Sequence, residues 1–273
     1  MKIIFLTNSY TRTAVPYIKK LIEAKKELVA IVLLKTIKLG NRGIRGFFNR
    51  IKKYGLRHIF IRIRQTLNLQ FKYIIFSMLR KMKVVTSNNY RCVEELQLNH
   101  PLNSFVTEDV NCQASVNILK QLKPDIIFVC TLSQIVRNDV LQIPRYGCIN
   151  IHAGLLPRYR GPASNFWVLF NGEEKTGVTF HYMTEGIDDG DIILQKELRI
   201  LPDDTENTLD IRLAQLGSES ICEVVKQVEN GTVKRRPQSK QQASYFRQPQ
   251  SEHRKLLVKM RKKSLQGNET SLR

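Results

Sequence analysis

The sequence predicts an α/β fold, a doubly wound and mostly parallel sheet, on three observations. Short apolar runs rich in β-branched residues alternate with segments of helical spacing. One run, Asp125 to Cys130, is continuously apolar after its aspartate, the pattern of a strand covered on both faces. A further strand, Tyr146 to His152, ends in polar side chains, and the carboxyl end of a strand is where open α/β sheets hold ligands.

Taken in order, Lys2 to Thr7 reads as a strand, Thr11 to Lys26 as a helix and Leu28 to Leu34 as a second strand. Pro16 falls in the first turn of that helix, where a missing N–H costs nothing. Residues 35–83 mix apolar and basic side chains and predict one or two amphipathic helices inserted after the second strand. Val84 to Thr86 predicts a short strand, Asn88 to Leu98 a helix or turn, and the stretch through Pro101 a polar crossing. Asn111 to Leu122 has helical periodicity, closed by Pro124. After Asp125 to Cys130 and Tyr146 to His152, strands follow at Val178 to Thr184 and Ile192 to Leu201. A capped helix from Asp204 to Val228 carries Leu209, Leu213, Leu216, Val224 and Val228 on its apolar face, and Asn230-Gly231 marks a turn. Ser251 to Arg273 holds seven basic residues and predicts a loosely attached helix followed by disorder. The organisation expected is a Rossmann-like catalytic domain over 1–201 with a basic helical insertion at 35–83, then a C-terminal helix and basic tail over 202–273.

At 273 residues the chain has room for one large core. The five cysteines are odd in number and widely spaced, without a Cys-x-x-Cys pair, which argues against a disulfide framework and a zinc site and for reduced thiols in the cytoplasm. MKIIFLTN lacks a small-residue cleavage site and reads as a buried first strand, and no apolar stretch has the length of a membrane-spanning helix. The formal charge of +20 is concentrated: residues 35–83 contain 14 Lys and Arg and no Asp or Glu. Such a face suits a nucleotide, a nucleic acid or a membrane surface, and equally a solvated insertion with no specific ligand.

The chemistry is concentrated in Gly147 to Pro162 and in Gly177 to Asp191. Asn150 and His152 are two apart, so on a strand both side chains point to one face. The second stretch runs a strand into an acidic, glycine-bearing loop able to return a carboxylate to the imidazole, from Asp188, Asp189 or Asp191. An amide, an imidazole and a carboxylate together meet the needs of acyl transfer to an amine: a donor for the developing oxyanion, a base, and a group that orients the base. His181 reads either as lining this pocket or as packing, and Trp167 as core. His58, His100 and His253 have no metal-ligand spacing, so no metal is predicted.

Asn150-Ile-His152 followed by Leu155-Leu-Pro157, with Gly177 and Ile187-Asp188-x-Gly190 downstream, resembles the folate-dependent formyltransferase family, whose members act on methionyl-tRNA, glycinamide ribonucleotide and nucleotide-linked sugars. The resemblance runs from Met1 to about Leu201, interrupted by the basic segment. It implies 10-formyltetrahydrofolate as formyl donor, catalytic roles for Asn150, His152 and Asp188, and folate contacts from Gly154, Leu155, Leu156 and Pro157. Many members carry Ser where this chain has Gly154. The resemblance also bears on the acceptor. Methionyl-tRNA formyltransferases carry Gly-Thr-Pro-x-Phe-Ala after the first strand and a C-terminal barrel, whereas this chain has Asn8 to Ala14 there and 72 residues after Leu201. The acceptor expected is therefore an anionic small-molecule primary amine, a nucleotide-linked amino sugar, with methionyl-tRNA as the alternative. A reading of another class is an inactive RNA- or membrane-surface-binding protein on the same scaffold.

Overall fold

The computed structural model describes residues 1–35 and 90–270, the last ten as backbone only. The basic segment expected at 35–83, Lys35 apart, and the strand expected at Val84 to Thr86 lie outside the described residues. Seven strands form one sheet: β1 (Ile3–Asn8), β2 (Leu28–Leu34), β3 (Ser104–Thr107), β4 (Ile126–Cys130), β5 (Cys148–His152), β6 (Lys175–Tyr182) and β7 (Ile192–Arg199), in the order β3-β2-β1-β4-β5-β6-β7. The pairings from β3 through β5 are parallel, and β5–β6 and β6–β7 are antiparallel. This is the doubly wound sheet expected, with its direction of winding reversing between β1 and β4.

Around the sheet, among the described residues, lie α1 (Val15–Glu23), α2 (Val93–Gln97), α3 (Gln113–Leu122), α4 (Asn138–Leu141), α5 (Ser164–Phe170), α6 (Glu206–Glu229) and α7 (Ser251–Thr270). Strand alternation sorts the core into two layers. Ile3, Phe5, Ile126, Phe128, Cys130, Ile149 and Ile151 pack against α1 and α6. Ile4, Leu6, Ile127, Val129 and Cys148 pack on the other face against α3 and α4. Each fully buried aliphatic or aromatic side chain here contributes about 1.5–3 kcal/mol relative to exposure.

Local chemistry sets the ends. Thr205 caps α6, accepting from Thr208 N at 3.1 Å while its own N–H donates to Thr208 Oγ1 at 2.7 Å. Pro16 sits at the start of α1, as the sequence requires. Helix α6 follows the span expected for the catalytic unit, yet its apolar face shares the α1 core. Helix α7 docks by its first turns, through buried Leu257, the Arg254–Glu206 pair at 2.5 Å and His253 against Trp167.

Three elements differ from the sequence expectation. The polar crossing after Pro101 contains β3, an edge strand with one neighbour and so no need of an apolar pattern. Helices α4 and α5 carry no start signal: α5 follows Ala163 in the left-handed region (φ 59°), with no side-chain cap. Trp167 is half-buried rather than core, its Nε1 donating to Arg247 O at 2.8 Å.

Gly177 in β6 permits a close approach. A Cβ there would lie 2.2 Å from Lys196 O of β7 and 2.6 Å from Leu155 Cδ2. Gly177→Ala is expected to destabilise the fold by about 1–3 kcal/mol, read as a lowered urea midpoint. An unchanged midpoint would show that β7 and the Leu155 turn yield at no cost.

Candidate active site

Asn150 and His152 alternate with Ile149 and Ile151 along β5, share the face of Cys148, and so point to the sheet face opposite α1 and α6. Antiparallel β6 sets His181 beside Asn150 and Thr179 beside His152. Four polar side chains thus share one face of two apolar strands. Asp188 reaches this face from the β6–β7 loop, with a left-handed backbone (φ 51°) that turns its carboxylate inward. Of the three aspartates open in the sequence, Asp188 is the one brought to His152; Asp189 instead accepts from Thr184 Oγ1.

The hydrogen bonds assign donors. His181 Nδ1 lies 2.9 Å from Tyr182 O and donates to it, leaving Nε2 to accept from Asn150 Nδ2 at 3.1 Å. Asn150 Nδ2 also donates to Asp188 Oδ1 at 3.1 Å. Both amide hydrogens therefore have acceptors, and donation to any bound oxygen requires one of them to be exchanged. His152 Nε2 donates to Tyr159 O at 2.9 Å, which leaves Nδ1 as the ring's lone pair, 3.6 Å from Asp188 Oδ2. That separation is too long for a hydrogen bond and short enough for strong attraction once Nδ1 is protonated. Gly161 N donates to Asp188 Oδ2 at 2.8 Å.

Burial pushes the His152 pKa below the usual histidine value; Asp188 opposes this, and the shift remains downward. For Asp188 burial acts upward, but His152, His181 and the Gly161 amide outweigh it and hold the carboxyl far below the usual range. The resting state is a neutral imidazole beside an ionised carboxylate. This is the arrangement of a base ready to accept a proton at Nδ1.

The turn from Gly154 to Pro157 is held by the β6–β7 hairpin. Thr179 Oγ1 donates to Gly154 O at 2.6 Å and accepts from Leu156 N at 3.3 Å, while Gln195 Nε2 donates to Leu156 O at 2.8 Å. Gly154 packs directly on the imidazole, since a Cβ there would lie 2.8 Å from His152 Nε2. Leu156 is buried and Leu155 and Pro157 are half-buried, so the turn presents an apolar edge with its own polar groups largely satisfied. Among the described residues no group of three His, Cys, Asp or Glu is placed to hold a metal ion.

Gln238 was not legible as a site residue. Its Nε2 donates to Asp188 O at 2.9 Å and Gly190 O at 2.7 Å, and its Oε1 accepts from Arg160 Nε at 3.0 Å and Nη2 at 2.7 Å. It ties the Asp188 loop to the loop that carries Gly161. Gln238→Ala is expected to lower kcat by about tenfold, near 1.4 kcal/mol, with KM little changed. A loss confined to KM would place Gln238 in substrate binding instead of loop positioning. Thr179 and Gln195 were also missed; the alternation of Thr179 with His181 on an apolar strand was the available signal.

Comparison with known proteins places this fold and site in a family. Over residues 82–225 the chain matches the family model described as "Formyl transferase". It is 39% identical over 156 residues to a methionyl-tRNA formyltransferase of Agathobacter rectalis, covering 57% of this chain and 50% of that protein. It is 42% identical over 153 residues to one of Alkaliphilus metalliredigens, covering 56% and 49%. The chain thus spans about half the length of the curated relatives it matches. Among solved structures it resembles a sugar 3N-formyl transferase determined in the presence of dTDP and 5-N-formyl-THF (TM-score 0.57, 17% identity, 91% of this chain and 70% of that one). It also resembles an N-formyltransferase from Helicobacter canadensis in complex with folinic acid and dTDP-3-aminofucose (TM-score 0.56, 18% identity, 90% and 70%). The chain belongs to the formyl transferase family.

Proposed function

We propose that the protein transfers a formyl group from 10-formyltetrahydrofolate to a primary amine. The observation that carries this reading is the convergence of Asn150, His152 and an ionised Asp188 at the carboxyl end of β5. Neutral His152 takes the amine proton at Nδ1 as the amine nitrogen bonds to the formyl carbon, Asp188, 3.6 Å away, stabilises the imidazolium that results, and the imidazolium returns the proton to N10 as the formyl–N10 bond breaks and tetrahydrofolate leaves. Asn150, exchanging its bond to Asp188 or His181, turns an amide hydrogen to the formyl oxygen as charge develops there. The apolar edge of Leu155 and Pro157 suits the flat ring system of a folate.

Methionyl-tRNA is the acceptor best supported, because relatives of that description share 39% identity over 156 residues and 42% over 153. A nucleotide-linked amino sugar is the second reading, favoured by Asn8 to Ala14 standing in place of Gly-Thr-Pro-x-Phe-Ala. The intact Asn-His-Asp set weighs against an inactive RNA- or membrane-surface-binding role. Among the described residues no helix is long and apolar enough to cross a membrane.

Release of tetrahydrofolate, measured with methionyl-tRNA and with a panel of nucleotide-linked amino sugars, tests the proposal. Turnover with either supports formyl transfer and selects the acceptor. Absence of turnover with both, in folded protein that binds the donor, would overturn both acceptor readings.

A further inference from the structure

After α6 the chain returns to the active site and is fastened to the loop that follows β5. Ser244 N donates to Pro157 O at 3.2 Å, Arg160 N to Ser244 O at 2.9 Å and Phe246 N to Arg160 O at 2.9 Å, so Tyr245 and Arg160 form a parallel bridge. On one side of this extended segment Ser244 Oγ accepts from Tyr159 N at 3.2 Å, and Phe246 stacks on Tyr159 with ring centroids 5.0 Å apart. Trp167 Nε1 holds the next carbonyl, Arg247 O, at 2.8 Å. Side chains alternate along extended backbone, so Tyr245 and Arg247 project to the other side, and both are exposed.

Tyr245 is 51% exposed, and its ring rests on bare backbone. A Cβ on Gly161 would lie 2.7 Å from Tyr245 Cε2 and 3.1 Å from Cδ2, so the loop has no room for a side chain beneath the ring. The N–H of the same glycine donates to Asp188 Oδ2 at 2.8 Å. One residue of backbone therefore separates an exposed aromatic ring from the carboxylate beside His152. The segment that carries the ring is basic: between Gly231 and Ser251 stand Lys234, Arg235, Arg236, Lys240 and Arg247, with no Asp or Glu. An exposed ring on a fixed, positively charged segment suits a nucleotide, because a base stacks on the ring and a phosphate takes charge-assisted donors from the cation.

We propose that Tyr245 and Arg247 form a nucleotide subsite for the amine acceptor. The nucleobase stacks on Tyr245, the adjoining phosphate meets Arg247, and the amine end of the acceptor reaches His152. The substrate's role rests on the formyl-transfer reading; the binding of a nucleotide does not. A base beside a phosphate is common to a nucleotide-linked amino sugar and to the 3′-terminal nucleotide of a tRNA, so the same two side chains serve either source.

Titration calorimetry on the full chain, without folate, tests the subsite apart from the chemistry. The probes are UDP and the ribotrinucleotide CCA, with ribose 5-phosphate, which lacks the base, and uridine, which lacks the phosphates, as controls. UDP or CCA is expected to bind at least about tenfold more tightly than both controls, and the tighter of the two identifies the source. Tyr245→Ala, its fold checked by circular dichroism, is expected to weaken that binding about tenfold, whereas Tyr245→Phe retains it. Arg247→Gln removes the advantage over uridine. With the acceptor that turns over, Tyr245→Ala should raise KM for the acceptor and leave KM for the donor in place. Nucleotide binding without formyl transfer would uphold the subsite and count against the reading of the reaction; formyl transfer with no saturable binding of UDP or CCA in the millimolar range would do the reverse. Undiminished binding in Tyr245→Ala, or a rise in KM confined to the donor, would also overturn the proposal.

Discussion

His152→Ala is expected to lower kcat for tetrahydrofolate release by about 10²–10³, on the order of 2–4 kcal/mol of transition-state stabilisation. His152 is 7% exposed, its Nε2 is committed to Tyr159 O, and its Nδ1 is the lone pair beside Asp188. No other group takes over this work, because His181 has its Nδ1 bound to Tyr182 O and its Nε2 to Asn150. The loss should fall on kcat with little change in KM for the donor, since the turn from Gly154 to Pro157 is held by Thr179 and Gln195. Asp188 keeps His181 and the Gly161 amide, so the variant is expected to remain folded. Activity within tenfold of wild type in folded His152→Ala protein would remove His152 from the chemistry.

Asp188→Asn separates two effects that its carboxylate exerts on His152. The charge that stabilises the imidazolium disappears, and kcat is expected to fall by about 10²–10⁴. The same charge raises the His152 pKa against the downward pull of burial. In wild type, activity needs neutral His152, so the acid limb of the pH–rate profile should lie below about pH 6.5. In Asp188→Asn it should move lower still, giving a lower ceiling that persists to more acid pH. A limb that moves upward would contradict the pairing of Asp188 with His152. Stability carries its own signature. The Asp188 carboxyl is depressed in the fold, so its contribution is present above the unfolded value near 3.9 and is lost as pH falls below it. Any stability advantage of wild type over Asp188→Asn should accordingly fade in acid, as seen in urea midpoints at neutral pH and near pH 3.

The legible parts of the molecule are those whose physics is local. Continuous burial marks β4, and two-residue spacing puts Asn150 and His152 on one face. The Ile187-Asp188-x-Gly190 pattern carried the resemblance that singled out Asp188, and the left-handed backbone there is the geometry that the pattern serves. What could not be read is held from a distance. Gln238 stands in a polar run that reads as loop, and bonds from a side chain to backbone carbonyls 50 and 48 residues away leave no periodic mark. The exchange required of Asn150 was equally hidden, because it depends on His181 arriving from a neighbouring strand in one register. Residues 36–83 lie outside the described residues, so the charge of that segment remains a property of the sequence.

The Gln238 tie also gives the site a timetable. Residues emerge from the ribosome in order, and Gln238 follows Asp188 by 50 positions. At synthesis rates of about 5–20 residues per second, several seconds separate the appearance of the carboxylate from that of the residue that fixes its loop. A nascent chain that has already folded the sheet and presented its imidazole therefore holds an unfastened active site. Fastening of the Asp188 loop therefore waits on a residue made well after the carboxylate it holds.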